Sequence, residues 1–342
     1  MPTDSQQAPP PSTRLMQCIT GHWVASAVHV VAKLGVADHL KDGAKSSDEL
    51  AAQLDCHASS LFRVLRAMTC LGILQENRPK HFSLTEAGEL LRSDHPESMR
   101  SMALFQGARP HWHGWGELHH SVKTGQPAFE HVHGMGFFDY CLATPEFGEH
   151  FNGAMTGMSA MAAGAVLAAY DFSGIRKLVD VGGGHGYLIS RILEKYPELQ
   201  GGLVDLPDVA EGAKSTLGAL GLTSRCEVVG GSFFDSLPPA DAYIAKNIIH
   251  DWDDEHSRTI LRNMRAAMEG NGRVILLEIV ISPEVQGDVA MLIDLEMLHA
   301  TRGGRERTER EFADLFEAAG LKLNRILSTE TLYRVIEAVP VG

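Results

Sequence analysis

Apolar positions along the chain change their spacing near Asp171. Before it they recur every three to four residues, and from Lys177 onward they gather into short runs separated by amphipathic stretches. Leu178-Val179-Asp180-Val181, Leu203-Val204-Asp205, Cys226-Glu227-Val228-Val229, Ala242-Tyr243-Ile244-Ala245 and Val274-Ile275-Leu276-Leu277 are five such runs, with helical patterns between most of them. Strand alternating with helix implies right-handed crossovers and a parallel sheet. The final runs, Leu321 to Leu327 and Leu332 to Ala338, lie a short turn apart and should pair antiparallel. The prediction is an α/β domain over 173–342, a doubly wound, seven-stranded, mostly parallel sheet closed by an antiparallel C-terminal hairpin.

The first half reads differently. Residues 1–12 are polar and proline-rich and predict a disordered tail. Leu15 to Leu40 carries helical periodicity, as one long helix or two short ones. Ser46-Ser47-Asp48-Glu49 has the form of a capped helix start, and Leu61 to Leu71 forms a further short helix. Gly72 to Glu76 and His81 to Leu84 flank a polar turn, as the strands of a hairpin do. Helices followed by such a wing make a winged-helix module over 13–95. A helical connector follows over 96–172, rich in Trp, His, Phe and Met.

Charge decides between two uses of that module. The chain has 342 residues, 43 Asp plus Glu against 30 Lys plus Arg, and a net charge of -13. DNA reading depends on clustered cations, and the module's Arg63 and Arg66 are surrounded by acids. Dimerisation without nucleic acid is therefore the expected role. The five cysteines are scattered and form no Cys-x-x-Cys pair, which points to reduced thiols in the cytoplasm rather than disulfides or zinc. No secretion signal and no membrane-spanning apolar run is evident in the sequence.

Two segments carry candidate chemistry. Asp180-Val181-Gly182-Gly183-Gly184-His185-Gly186 joins a strand to an amphipathic helix, and its glycines let the backbone turn sharply and a ligand approach closely. Asp205 ends the next strand, where a carboxylate can accept from both hydroxyls of a ribose. A dinucleotide site would want a third glycine where Tyr187 stands, so pyrophosphate binding is disfavoured. After the fourth strand comes Lys246-Asn247-Ile248-Ile249-His250-Asp251-Trp252-Asp253-Asp254-Glu255, with Asp253 as the N-cap of a helix. This puts His250 at the C-terminal mouth of the sheet, where open α/β sheets bind ligands.

On these motifs, with Gly230-Gly231-Ser232-Phe233-Phe234 and Gly303-Gly304-Arg305-Glu306-Arg307-Thr308, the chain resembles the metal-independent small-molecule O-methyltransferases of the caffeic-acid and hydroxyindole type, including bacterial natural-product members. The resemblance implies the class I methyltransferase fold, S-adenosylmethionine as cofactor and a homodimer formed through the N-terminal module. It implies that Gly182, Asp205, Ser232, Phe233, Lys246 and Ser159 bind the cofactor. It also implies His250 as general base on an acceptor hydroxyl, with Glu278 and Glu306 around it. Asp251, Asn247, Met158 and Met297 would meet a small aromatic or polyketide-like acceptor, in a pocket to which Phe105, Trp112, Met155 and Met291 are further candidates. Ser232 departs from the family pattern, which has an acid there to accept from the adenine amino group. A neutral hydroxyl should bind less strongly.

The chemistry asks for a base, since a phenol with pKa near 10 is a poor nucleophile at neutral pH and an imidazole near 6.5 can take its proton. No metal is expected. The run Asp251, Asp253, Asp254, Glu255 and His256 reads as the solvated first turn of a helix, and His111, His113, His119, His120, His131 and His133 lack the His-Glu-x-x-His form and read as surface or pocket-lining residues. Two alternatives keep part of these features: a hydroxylase or decarboxylase on the same scaffold, and a winged-helix sensor of a metabolite.

Overall fold

The computed structural model describes residues 9–284 and 288–341. Of the expected tail, residues 1–8 lie outside the described residues. Pro11 already opens a helix, because its fixed φ and missing N–H suit a first turn. The chain divides into two compact units, up to Arg109 and from Pro110, so residues 96–109 fall with the first unit and 110–172 with the second.

In the first unit α1 (Pro11–Ile19), α2 (Gly21–Leu34) and α3 (Val36–Leu40) cover the stretch read as one or two helices. The break after α2 falls at Gly35, whose φ of +67° ends the helix. β1 (Lys45–Ser46) leads into α4 (Ser47–Gln53), where Ser46 and Glu49 form a reciprocal capping box, and then α5 (Ala58–Cys70). β2 (Leu74–Arg78) and β3 (His81–Leu84) make the wing, with β1 as a third strand beside β3. Val31, Leu50, Leu61, Leu65, Met68 and Phe82 form the core, and α6 (Glu86–Glu89) and α7 (Arg100–Gln106) complete the unit.

The second unit begins with α8 (Arg109–Gly116), α9 (Leu118–Thr124), α10 (Ala128–His133), α11 (Phe137–Ala143) and α12 (Pro145–Ala169). It continues as β4 (Lys177–Val181), α13 (Tyr187–Lys195), β5 (Gln200–Asp205), α14 (Pro207–Ala219), β6 (Cys226–Gly230), β7 (Ala240–Lys246), α15 (Asp254–Ala267) and β8 (Met268–Ile281). The last elements are α16 (Ala290–Ala300), β9 (Arg307–Thr308), α17 (Glu309–Ala318), β10 (Leu321–Ser328) and β11 (Tyr333–Pro340).

The strand order is β10-β11-β8-β7-β4-β5-β6, parallel from β8 to β6, with β11 antiparallel to both its neighbours. Successive strand residues feed opposite faces, as a pleat requires. Leu178, Ile244, Ile275 and Val335 pack with Ile189, Ile192 and Leu217, whereas Val179, Ala245, Leu276 and Ile336 pack with Ile260, Phe312 and Phe316. Both faces are thus covered, which is why the runs read as almost uninterrupted apolar sequence. Chain order reverses on the two sides of β4, and the crevice beyond the strand ends there is where such sheets take ligands.

Candidate active site

The turn after β4 is built for close approach. Gly182 has φ +69°, and a Cβ on it would lie 2.3 Å from Ile248 Cδ1 and 3.6 Å from Phe233 Cε1. Gly184, at φ +56°, has open space where its Cβ would be. Asp205, at the end of β5, accepts from the Gly184 N–H at 2.8 Å and the Leu206 N–H at 2.7 Å. Each carboxylate oxygen keeps lone pairs for another donor. Burial raises the Asp205 pKa, against the pull of those two N–H groups.

Ser232 Oγ accepts from the Phe234 N–H at 3.2 Å, and the Phe233 carbonyl accepts from Asn263 at 3.0 Å. Ser159 donates to the Met155 carbonyl within α12. Lys246 ends β7 with its Nζ 5.5 Å from the Tyr333 ring centre. Burial pushes that ammonium down to about 8 although Glu278, Asp180 and Asp251 pull it back. Asp180 is fully buried with Oδ2 unpartnered, and desolvation lifts it to about 7.

Asn247 takes φ +55°, a left-handed conformation that asparagine tolerates better than most residues. Its Nδ2 donates to the Tyr333 hydroxyl at 2.9 Å, and its Oδ1 is buried without a partner. Met158 packs against the buried cluster of Ala162, Ile279, Ala290 and Tyr333, the last of which is Asn247's partner. Met297 is buried on α16, whereas Met291 is exposed there. Phe105 lies in the first unit.

His250 occupies the 3-10 turn Ile249–Asp251 after β7. Its Nδ1 lies 2.8 Å from Glu306 Oε1 and 3.9 Å from Glu278 Oε2, while its Nε2 lies 3.5 Å from Asp251 Oδ1. Glu278 accepts from the N–H groups of Ile248 at 3.1 Å and Ile249 at 2.8 Å, so it holds the turn that presents the imidazole. The Oε2 atoms of Glu278 and Glu306 have no hydrogen-bond partner.

The expectation of an ordinary imidazole does not hold. Burial alone would lower its pKa, but Asp251, Glu278 and Glu306 together raise it to about 10. Desolvation in turn lifts Asp251 to about 6 and Glu278 to about 7.

The loop 303–308 fixes this geometry. A Cβ on Gly304 would lie 2.2 Å from Thr301 Oγ1 and 2.6 Å from the His250 carbonyl oxygen, and the Arg305 N–H donates to that oxygen at 2.7 Å. Arg307 has no exposed surface and donates to the carbonyls of Ile249 and Trp252, at 2.8 Å each, and to Asp254 at 2.9 Å. It ties the His250 turn to the loop that carries Glu306. Arg307, Tyr333 and Asp180 were not singled out from sequence. Arg307 belongs to the segment Gly303–Thr308, but its role depends on carbonyls 58 and 55 residues away along the chain.

In the carboxylate run after His250 the expected N-cap is in place, Asp253 accepting from the His256 N–H, and Glu255 and His256 are exposed; Asp254 differs from the solvated reading in pairing with Arg305 and Arg307. Of the connector histidines, expected at the surface or lining a pocket, His113, His119 and His131 are exposed and His111 is buried, its Nε2 2.7 Å from Glu296 Oε1.

The chain as a whole matches known proteins. Residues 115–322 match the family model of the O-methyltransferase domain, and residues 16–94 match that of the O-methyltransferase dimerisation domain. The chain is 41% identical to phenazine O-methyltransferase PhzM of Lysobacter antibioticus, over 98% of each chain. It is 36% identical to 8-amino-8-demethylriboflavin N,N-dimethyltransferase of Streptomyces davaonensis, over 95% of this chain and 94% of that one. The crystal structure of NcsB1, an O-methyltransferase from neocarzinostatin biosynthesis in complex with S-adenosylmethionine and 2-hydroxy-5-methyl naphthoic acid, superposes with a TM-score of 0.78 at 33% identity, covering 93% and 96% of the two chains. The chain belongs to the O-methyltransferase family and is an S-adenosylmethionine-dependent methyltransferase with the class I fold and an N-terminal dimerisation domain.

Proposed function

We propose that the protein moves a methyl group from S-adenosylmethionine to a hydroxyl of a small aromatic or polyketide-like acceptor, with His250 taking the hydroxyl proton. The observation that carries this is the 2.8 Å contact between His250 Nδ1 and Glu306, which occupies one ring nitrogen and leaves Nε2 as the basic atom.

The residues fit the cofactor. Space above Gly184, spare lone pairs on Asp205 and the orphaned Asp180 and Asn247 oxygens all border one mouth of the sheet. Asp205 would accept from the ribose hydroxyls, Ser232 and Phe233 would flank the adenine, and Gly182, Lys246 and Ser159 would border the rest. When bound, the cofactor supplies a methyl carbon activated by a sulfonium leaving group. Asp251, Asn247, Met158 and Met297 are the side chains assigned to the acceptor.

The raised basicity of His250 suits a phenol. Asp251, Glu278 and Glu306 raise the ring's affinity for a proton, so they stabilise the imidazolium that forms as the phenol gives up its proton. The acceptor oxygen forms its bond to the methyl carbon as the carbon–sulfur pair stays with sulfur. The proton remains on His250 Nε2, steadied by Asp251 and Glu306, until water removes it. The apolar surface of α1 and α2 supports a homodimer through the N-terminal unit, and five free thiols support a cytoplasmic location.

The test is transfer of labelled methyl to a panel of phenolic and polyketide-like acceptors, with the product's methylated atom located by mass spectrometry. His250→Ala should lower transfer about a hundred- to ten-thousandfold while cofactor binding persists. Methylation at nitrogen alone would overturn the hydroxyl assignment. Cofactor binding without any transfer would favour hydroxylation, decarboxylation or sensing instead.

A further inference from the structure

The α16 sequence Glu296-Met297-Leu298-His299 sets an acid and an imidazole three residues apart on one helix face, the Glu-x-x-His spacing by which helical metal sites present two ligands. A second imidazole comes from α8. His111 Nε2 lies 2.7 Å from Glu296 Oε1, and His299 Nδ1 lies 3.9 Å from the same oxygen. One ligating atom from each of the three residues lies within 4.8 Å of the other two. Outside them, the Trp115 indole N–H donates to Glu296 Oε2 at 2.9 Å. Room for His299 depends on a glycine, since a Cβ on Gly114 would lie 2.4 Å from its Nε2.

Stacking on Trp115, with ring centres 5.1 Å apart, accounts for the ring of His299 but not for its nitrogens. His299 has no exposed surface, and neither of its ring nitrogens has a hydrogen-bond partner. Buried polar atoms are nearly always bonded, and an imidazole left bare marks a missing partner. An apolar side chain would fill the same volume without that cost.

We propose that His111, Glu296 and His299 bind a divalent transition metal ion, with zinc as the first choice. Two imidazoles and a carboxylate are a donor set zinc accepts, and three protein ligands leave one coordination position open. Trp115 orients the carboxylate from outside, the part that outer hydrogen bonds play around metal sites. The His111–Glu296 contact opens to admit the ion, because atoms bonded to one zinc at about 2.0–2.2 Å stand further apart than a hydrogen bond. The ion would tie α8 to α16. The group shares no side chain with His250, Glu278 and Glu306, the other group of ligating side chains found among the described residues, although Glu296 is near enough to raise Asp251, and the proposal does not depend on the assignment of the reaction.

The experiment uses the full chain, stripped with a chelator and titrated with zinc by calorimetry, with bound metal counted by mass spectrometry after gel filtration. The native chain and His250→Ala should each hold one zinc. Glu296→Gln and His299→Gln should bind about a hundredfold more weakly or not at all, and Trp115→Phe about ten- to a hundredfold more weakly. X-ray absorption on the zinc-loaded native chain should show only nitrogen and oxygen neighbours, with two imidazoles, and decides the matter even if His299→Gln fails to fold. Failure of the native chain to hold stoichiometric zinc overturns the proposal. So does sulfur in the shell, which would point to one of the five thiols, zinc loss in His250→Ala, or undiminished binding in His299→Gln.

Discussion

At the scale of single residues, the site turns on how three carboxylates treat one imidazole. Asp251 is the largest of the influences that raise His250. A base acts when it is unprotonated, so under the role proposed for His250 the rate should climb with pH until that imidazole has lost its proton. Asp251→Asn removes part of the stabilisation of the cation, and the climb should move to lower pH by on the order of one unit. Profiles of kcat/KM against pH, with the same acceptor for both proteins, cancel the acceptor's own ionisation; coincident profiles would show that Asp251 does not tune the base. Ser232 carries a second prediction. A charged acceptor bonds more strongly than a hydroxyl by about 1.4 kcal/mol, within the usual difference between the two kinds of hydrogen bond, so Ser232→Asp should tighten cofactor binding about tenfold by calorimetry. Which residues to examine was legible in the sequence, because His250 and Glu306 lie in motifs and Glu278 directly follows the fifth apolar run. The raised basicity was not, since it arises only where segments 250–251, 278 and 306 meet in a buried space.

At the scale of elements, the parallel strands were legible because burial on both faces leaves an almost unbroken apolar run, and the hairpin because its strands are joined by a short turn. β1 and β9, two residues each, have no periodicity to read and form only against β3 and β8. The same holds for Arg307, whose partners are carbonyls of a distant turn. That turn is sensitive to its neighbour loop. A methyl group at Gly304 would meet the His250 carbonyl at 2.6 Å, on the very oxygen that accepts from Arg305. Gly304→Ala must therefore displace the turn, and misplacement of a base by about 1 Å can cost about a hundredfold. We expect kcat to fall by about that factor while cofactor affinity stays as it is, since none of the residues proposed to hold the cofactor lies in this loop. Unchanged kcat would mean that the loop yields instead of the turn.

At the scale of the whole molecule, the first unit leaves apolar surface uncovered. Leu15, Met16, Ile19 and Trp23 are each more than half exposed, at 62%, 58%, 60% and 65%, and Val24 follows at 45%. Scattered single apolar residues are normal on a surface, but five within ten positions of α1 and α2 make a patch. Among the described residues no single helix is long and apolar enough to cross a membrane, and α1 and α2 meet at a 45° bend. The patch begins at the edge of the matched dimerisation domain, residues 16–94, and a second copy is the occupant its apolar chemistry fits. Buried tryptophans are frequent centres of such interfaces, each costing about 2 kcal/mol or more when lost, which is about thirtyfold in affinity. Ile19→Glu with Trp23→Glu, which puts two like charges on each side of a two-fold contact, should convert the protein to a monomer by light scattering at micromolar concentration. Neither side chain belongs to the core of Val31, Leu65 and Phe82, so the unit should keep its helical circular dichroism. A monomeric native chain, or a double variant that still runs as a dimer, would remove α1 and α2 from the interface.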